Sequence, residues 1–434
     1  MPVSPREAAA AIWRAALAAG DVAPLLRRHV QLTGSRLTAG PLALDLDRVG
    51  RVLVLGAGKA GAAMAVAVEA ILGARVREGF VVVKDGYRLP TARIEIAEAG
   101  HPVPDGRGLA ASARLLALAE SARAEDLVLF LVSGGGSALT PAPAPPITLE
   151  EKQAVTRLLL AAGATINELN AVRKHLSRFK GGLLARAAAP ATVLTLALSD
   201  VIGDPLDVIA SGPTAPDSTT YADALAVLER RQIVDRTPSS ILDRLRAGAR
   251  GELAETPKPG DPVFARVTNL VIGNNALVVD AAAAEAARVG YRPHVLTRSL
   301  QGEARDVARE LLARARALPA PACLIAGGET TVTVRGSGRG GRCQEFALAA
   351  ALELGAGEDL VVLAAGTDGT DGPTDAAGGL VDAGTVTRSR AAGLDAASAL
   401  ADNDAHALLT AAGDSVATGP TNTNLLDVYL ILRP

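Results

Sequence analysis

Aromatic side chains make up only 2% of the 434 residues, with one tryptophan, four tyrosines and five phenylalanines. Cores must therefore be packed from Ala, Val, Leu and Ile, and aromatic platforms for stacking single-stranded nucleic acid are not expected. There is no basic surplus either: 44 Lys and Arg face 46 Asp and Glu, a net charge of −2. Nucleic acid is thus not an expected partner. Two cysteines, Cys323 and Cys343, make no disulfide framework, and no Cys/His group has zinc spacing. No window reaches 18 uninterrupted apolar residues, so no membrane span is expected. The N-terminal apolar run is broken by charge, which argues against a signal peptide. A reduced cytoplasm is the expected location. Lysine is scarce: Lys59, Lys84, Lys152, Lys174, Lys180 and Lys258 are all there are. A lysine kept inside a glycine loop is therefore informative.

What is present is a repeated alternation. The length suits two or three domains, and 49% hydrophobic with 21% charged residues is ordinary for a globular protein. In Arg51–Gly61, RVLVLGAGKAG, four apolar residues run into Gly56-Ala-Gly58-Lys59-Ala-Gly61, and an Ala/Val-rich segment follows to Leu72. The pattern predicts a buried strand, a glycine turn and a helix whose first amides face outward as an anion site. A G-x-G-x-x-G match is weak evidence by itself. Lys59 sharpens it, because an ammonium suits phosphoryl transfer and has no task in a nicotinamide loop. The plain alternative is a packing turn with Lys59 solvated.

Further along, Phe80–Val83 and Ile94–Ala97 are expected strands, and Asp85 stands where a dinucleotide fold holds a ribose. Asp105 is expected to cap a helix running to about Ala119. Asp126–Val132 is a buried strand ending in Ser133-Gly134-Gly135-Gly136-Ser137, whose consecutive N–H groups would make a nest for anions. Ile166–Gly182 carries the one dense basic run, including Arg173 and Lys174. As a helix it would place Arg173 with Ser177 and Lys174 with Arg178; a solvated basic face is the alternative. Thr192–Leu198 delivers Asp200 and Asp204 beyond a strand end, where open α/β sheets bind ligands. The Pro/Gly-rich stretch 256–262 is the expected linker. After it come a strand near Leu270–Ile272, another at Ala322–Ala326, and a short alternating strand Thr331–Val334. A loop with Arg339 and Arg342 among four glycines precedes a helix, and a strand ends in an Asp-rich loop with Asp368, Asp371 and Asp375. Guanidinium groups in such a loop suit phosphate or carboxylate. Strand, Gly/Asp/Ser loop and helix recur throughout, which predicts parallel α/β sheets in two domains, residues 1–255 and 262–434.

The segments GAGKAG (56–61), HPVPD (101–105), VSGGGSAL (132–139), NAVRKHLS (170–177), LSDVIGD (198–204) and ASGPTAPD (210–217) resemble the class II D-glycerate 2-kinases. So do IAGGETTV (325–332), GRGGRCQE (338–345), GTDGTDGPTDAAG (366–378) and GPTNTN (419–424). Members of that family have often been labelled hydroxypyruvate reductase. The resemblance implies a Rossmann-like, doubly wound first domain, a smaller α/β second domain, and an active-site cleft between them for ATP, Mg²⁺ and D-glycerate. It also implies Lys59 and Arg342 as catalytic residues. The chain departs from the family pattern at Cys343, where asparagine is usual, and at Asn422 and Leu426, which replace a glycine and an asparagine of the closing motif.

On this reading Gly56, Gly58 and Ser133–Ser137 (Ser133, Gly134, Gly135, Gly136, Ser137) cradle the nucleotide phosphates, and Arg173 or Lys174 holds the glycerate carboxylate. Asp200, Asp204, Asp368 and Asp371 form the pool for Mg²⁺ ligands or a base. A nicotinamide-dependent hydroxypyruvate reductase, favoured by GAGKAG and Asp85, and a non-catalytic sugar-acid-binding protein stay open at this point. So does assembly into a homo-oligomer.

Overall fold

The computed structural model describes residues 4–434 and divides into two compact units. One comprises Val22–Ile272; the other joins Met1–Asp21 to Gly273–Pro434. Strands of the two large sheets are numbered here in chain order.

In the Val22–Ile272 unit these are β1 (Val52–Ala57), β2 (Val76–Lys84), β3 (Ile94–Ala99), β4 (Leu127–Val132), β5 (Thr192–Leu198) and β6 (Val267–Gly273). They lie in the order β3-β2-β1-β4-β5-β6. The β3/β2, β2/β1, β1/β4 and β4/β5 ladders are all parallel. This is the dinucleotide-fold order 3-2-1-4-5-6, as expected from the sequence. Every residue of β1 and of β4 is buried, which is why both read as unbroken apolar runs rather than alternating ones. Leu53, Leu55, Phe80, Val128 and Phe130 belong to the core on this sheet. A second core, around Val155, Leu169, Val172, Leu228 and Leu245, joins the helices Leu149–Ala161, Ile166–His175, Tyr221–Arg230 and Ser239–Ala249. Three short strands between Val30 and Asp45 form a separate antiparallel sheet.

The chain divides elsewhere than at residues 256–262. Thr256 is buried, its hydroxyl donates to Asp217 (2.9 Å), and the Pro257 carbonyl accepts from the Asp217 amide (2.9 Å). The stretch is thus packed loop, and β6 beyond it completes the first sheet. The N-terminal helix Pro5–Ala19 belongs with the C-terminal unit. Its apolar face (Ala8, Ala9, Ile12, Trp13, Ala16) is buried, and it packs on the helix Asn275–Arg288. Arg6 ties it to Asp382 and, at 2.7 Å, to Asp414.

The second unit's sheet contains β7 (Arg292–Leu300), β8 (Ala322–Gly328), β9 (Val361–Gly366), β10 (Gly378–Asp382), β11 (Ser415–Val416) and β12 (Asp427–Arg433), ordered β7-β8-β12-β9-β10-β11. Only β7/β8 is parallel; the other four ladders are antiparallel. This sheet is mixed rather than parallel because the last strand returns between β8 and β9. That insertion sets Asp427, the first residue of β12, opposite both Gly328 and Gly366. The expected strand Thr331–Val334 does not form. A single bridge from Thr331 to Glu303 stands in its place.

Candidate active site

At the carboxyl edge of the first sheet, the loops after β1 and β4 lie side by side where the strand order reverses. Open α/β sheets bind ligands at such switch points. Gly58 makes the close approach possible: its φ is +137°, and a Cβ there would stand 2.2 Å from Ser133 Oγ and 2.6 Å from the Ser133 carbonyl oxygen. The two loops are bonded together. The Lys59 amide donates to the Gly134 carbonyl (2.9 Å), the Ala60 amide to Ser133 Oγ (2.9 Å), and the Ser133 amide to the Ala57 carbonyl (3.1 Å). The Gly58 amide donates to the Val82 carbonyl (3.1 Å) and the Gly61 amide to the Gly58 carbonyl (3.0 Å).

The outward-facing amides expected of GAGKAG are therefore spent on fixing the loop. In the second loop the Gly136 amide turns in to the Ser133 carbonyl (3.2 Å), while the amides of Gly134, Gly135 and Ser137 meet no backbone acceptor among the described residues. Gly135, with φ +84°, packs against the His101 ring. Asp85 forms a two-pronged pair with Arg107 (2.6 and 2.8 Å), so the carboxylate a ribose would need is already engaged. Asp200 stands two residues beyond the end of β5 at this same sheet edge, and Asp204 lies in its loop with φ +55°.

The basic segment is split by the end of its helix. Ile166–His175 is helical and Leu176 closes it, so Ser177 and Arg178 do not extend the faces of Arg173 and Lys174. Adjacent helical residues point about 100° apart, and the two cations diverge accordingly. Lys174 is buried and pairs with Asp217 (3.3 Å), itself fully buried, and with Asp207 (3.2 Å). Burial alone would raise the Asp217 pKa, but the Lys174 charge and the Thr219 hydrogen bonds hold it below the usual carboxylate value. Lys174 is thus committed to the fold, which corrects its expected role as a carboxylate clamp. Arg173 lines a different cavity, of about 440 Å³, together with His101, Ser137, Lys152 and Lys180.

Lys180 closes the basic run of Ile166–Gly182, whereas Lys152 falls in no motif; its only signal in the sequence is the scarcity of lysine. Lys180 Nζ donates to both the carbonyl and the hydroxyl of Ser137 (2.9 Å each). Ser137 Oγ in turn meets Ser211 Oγ (3.1 Å), and Ser211 donates to Asn170 (3.0 Å).

The second unit gathers its own charged group where β8, β9 and β12 meet. Arg342 opens the helix Arg342–Glu353 and forks onto Asp427, Nε to Oδ2 at 2.6 Å and Nη2 to Oδ1 at 2.9 Å. Nη1 pairs with Glu329 at 2.8 Å. Burial would lower the Arg342 pKa, but the Asp427 charge more than offsets it and the guanidinium stays protonated. Tyr429 donates to Asp427 (3.0 Å) and also meets Thr330 (3.0 Å). Asp427, fully buried, is the key partner that motif reading missed. It sits inside what reads as an apolar strand.

Asp368 follows β9. Gly366 lies between the two carboxylates: a Cβ there would meet Asp427 Oδ1 at 3.2 Å and Asp368 Oδ1 at 3.6 Å. Asp371 does not join this group as a metal ligand. Its oxygens accept from the amides of Cys343 (3.2 Å) and Gln344 (2.8 Å), capping the helix start. Burial pushes its pKa up to about 7. Cys343 is buried too, and burial with the nearby Asp427 and Asp371 charges raises its thiol pKa. Among the described residues no three His, Cys, Asp or Glu side chains gather as a ready-made metal cage, so the four expected aspartates do not form one. The glycine-rich loop before Arg342 is also occupied: Asn403 takes the amides of Arg335 and Gly336, and Asp402 and Asp404 take those of Ser337 and Arg339.

Both departures in the closing motif stand in left-handed backbone, Asn422 at φ +58° and Leu426 at φ +64°. Asparagine tolerates that region; a branched apolar side chain costs about 1–2 kcal/mol there. The Leu426 carbonyl accepts from the Thr367 amide (3.0 Å) and hydroxyl (2.7 Å), which holds the strained turn just before Asp427.

Comparison with known proteins finds relatives over most of the chain. Residues 8–246 match the family described as a domain of unknown function, DUF4147, and residues 322–427 match the MOFRL family. A D-glycerate 2-kinase from Thermotoga maritima is 45% identical over 395 residues, covering 89% of this chain and 91% of that protein. A glycerate 2-kinase from Pyrococcus horikoshii is 42% identical over 396 residues, covering 89% and 88%. The crystal structure of a Thermotoga maritima glycerate kinase superposes with a TM-score of 0.84 at 41% identity, covering 99% of each chain. The chain belongs to the glycerate 2-kinase family. The α/β architecture of this glycerate 2-kinase relative is the one the resemblance implied. Among the described residues no single helix is long and apolar enough to cross a membrane.

Proposed function

We propose that this protein transfers the γ-phosphoryl group of ATP to the 2-hydroxyl of D-glycerate, releasing ADP and 2-phosphoglycerate. One observation carries the reading: Lys59 is fixed in the turn at the switch point of a 3-2-1-4-5-6 sheet, in a chain 45% identical to a D-glycerate 2-kinase. In the reaction the hydroxyl oxygen bonds to phosphorus as the bond from phosphorus to the ADP oxygen breaks. The hydroxyl proton passes to a carboxylate or to water. Charge spreads over the three equatorial oxygens of the transferring group, so the protein's task is positioning and positive charge.

Lys59 and Arg342 supply that charge, and the amides of Gly134, Gly135 and Ser137 add N–H donors for phosphoryl oxygens. Asp427 fixes two prongs of Arg342; the third, on the 44% exposed Glu329, is the one a phosphoryl oxygen can take over. Mg²⁺ arriving with ATP would offset phosphate charge and would need only one or two protein carboxylates to hold it. Asp200, Asp204 and Asp368 each carry oxygens of the right hardness. Asp371 does not fit, since its oxygens hold a helix terminus.

The test is direct. Purified protein with D-glycerate, ATP and Mg²⁺ releases ADP, while hydroxypyruvate with NADH leaves NADH unchanged. Lys59→Ala lowers kcat by about 10²–10³-fold, the usual loss for one preorganised transition-state donor, without moving the urea midpoint. Absence of ADP release, or near wild-type turnover in Lys59→Ala, overturns the reading.

A further inference from the structure

The cavity of about 440 Å³ beside the Ser133–Ser137 loop collects four cations and no carboxylate: Lys152, Arg157, Arg173 and Lys180 line it, with His101 also on its walls. Lys180 is fully committed to Ser137, which couples the cavity to the glycine loop. Lys152 is different. Its side chain comes from the helix Leu149–Ala161, is only 6% exposed, and its ammonium finds no hydrogen-bond partner among the described residues. An unpartnered buried ammonium costs several kcal/mol unless something compensates it. Elsewhere in this unit the fold does compensate: buried Lys174 has Asp217 and Asp207. Here it supplies three further cations in place of an acid. A fold that concentrates unneutralised positive charge in one cavity is built to be completed by an anion.

We propose that this cavity is an oxyanion-binding site of the enzyme, with Lys152 and Arg173 as the anchoring cations and Lys180 as the link that positions the Ser133–Ser137 loop around the bound group. The inference rests on the phosphoryl-transfer reading for the identity of its ligand, which is either the carboxylate of the substrate acid or a phosphate of the nucleotide; the chemistry of recognition is shared. Protonation behaviour follows the same logic. Burial, with the Arg173 charge second, lowers the Lys152 pKa to about 7, and burial lowers Arg173 to about 10. Burial also depresses Lys180, with Lys152 and Arg173 adding to the effect. An arriving anion reverses the cost of charging Lys152, so binding near neutral pH draws in a fraction of a proton.

Isothermal titration of the full-length protein with D-glycerate, with ATP and with sodium sulfate, each in two buffers of different ionisation heat at pH 7.5, tests this without requiring turnover. In the wild type at least one ligand binds with net proton uptake. In Lys152→Met the uptake disappears and Kd rises about tenfold or more, the loss expected for one charge-assisted hydrogen bond. Arg173→Met weakens the same ligand, and Lys152→Arg restores part of the affinity. Weakening confined to D-glycerate assigns the carboxylate; weakening confined to ATP assigns a phosphate; weakening of sulfate alone or of all three supports a general oxyanion seat. Binding of all three ligands within twofold of wild type in both methionine variants overturns the proposal, as does a wild type that binds none of them. Loss of the kinase reading alone appears separately, as absent ADP release in a protein whose anion binding still depends on Lys152.

Discussion

Replacing Arg342 by methionine should damage stability and catalysis together, and a second substitution should separate them. Asp427 is fully buried, receives two bonds from Arg342 at 2.6 and 2.9 Å, and otherwise has the Tyr429 hydroxyl at 3.0 Å. Deleting one partner of a buried pair usually costs ~3–5 kcal/mol, because the remaining charge is left without compensation. Arg342 keeps 34% of its side chain exposed, so water relieves part of that loss. About 2–3 kcal/mol is therefore the expected destabilisation. Turnover should fall about 10²–10³-fold for the lost transition-state donor.

Adding Asp427→Asn removes the orphaned charge. The double variant should regain most of the stability, with a coupling energy of about 1–3 kcal/mol, while its kcat stays as low as that of Arg342→Met. Urea unfolding and a coupled ADP-release assay read the two quantities independently. Recovery of turnover in the double variant would show that Arg342 serves only to neutralise Asp427. An Arg342→Met protein as stable as wild type would refute the buried-pair argument instead.

Other outcomes follow from the same geometry. Lys174→Met should cost ~3–5 kcal/mol in urea unfolding, since it strands the buried Asp217, and leave KM for D-glycerate unchanged in the folded fraction; a KM effect without destabilisation would restore it as a substrate clamp. Asp371→Ala should lose about 1–2 kcal/mol as a missing helix cap yet keep the Mg²⁺ concentration for half-maximal rate, whereas a large rise in that concentration would make Asp371 a metal ligand after all. For Lys152 the sign is fixed by its depressed value of about 7 against an unfolded lysine near 10.4. The unfolded chain binds the extra proton between those values, so its contribution to stability is poorest below pH 7 and improves as pH rises toward 10. Thermal melts should accordingly find Lys152→Met more stable than wild type at pH 6, with the gap closing by pH 10; a pH-independent difference would remove the buried charge from the account.

The sequence by itself determined the local grammar of the first unit. Val52–Leu55 and Leu127–Val132 are apolar on both faces because they lie in the middle of a parallel sheet, and each runs into a glycine-containing turn because the chain must turn sharply beside the other. Lys59 stood out for the same reason, as a charge where only small residues otherwise fit. The family motifs carried the kinase reading across the whole chain. What sequence order could not convey is which amides the folded loops use up. The GAGKAG N–H groups and the Asp371 carboxylate look available when read along the chain, but the fold turns them inward.

Tertiary structure alone decided the rest. Lys174 pairs with Asp217, 43 residues away, and Arg342 with Asp427, 85 residues away. Asp427 reaches Arg342 only because the last strand enters antiparallel between β8 and β9. Lys152, Arg173 and Lys180 converge from two helices and a loop that share no sequence pattern. Periodicity and motifs report how a segment meets its immediate neighbours. Pairing of buried charge depends on which distant segments the packed sheet and helices bring together, and that is settled only when the chain has folded.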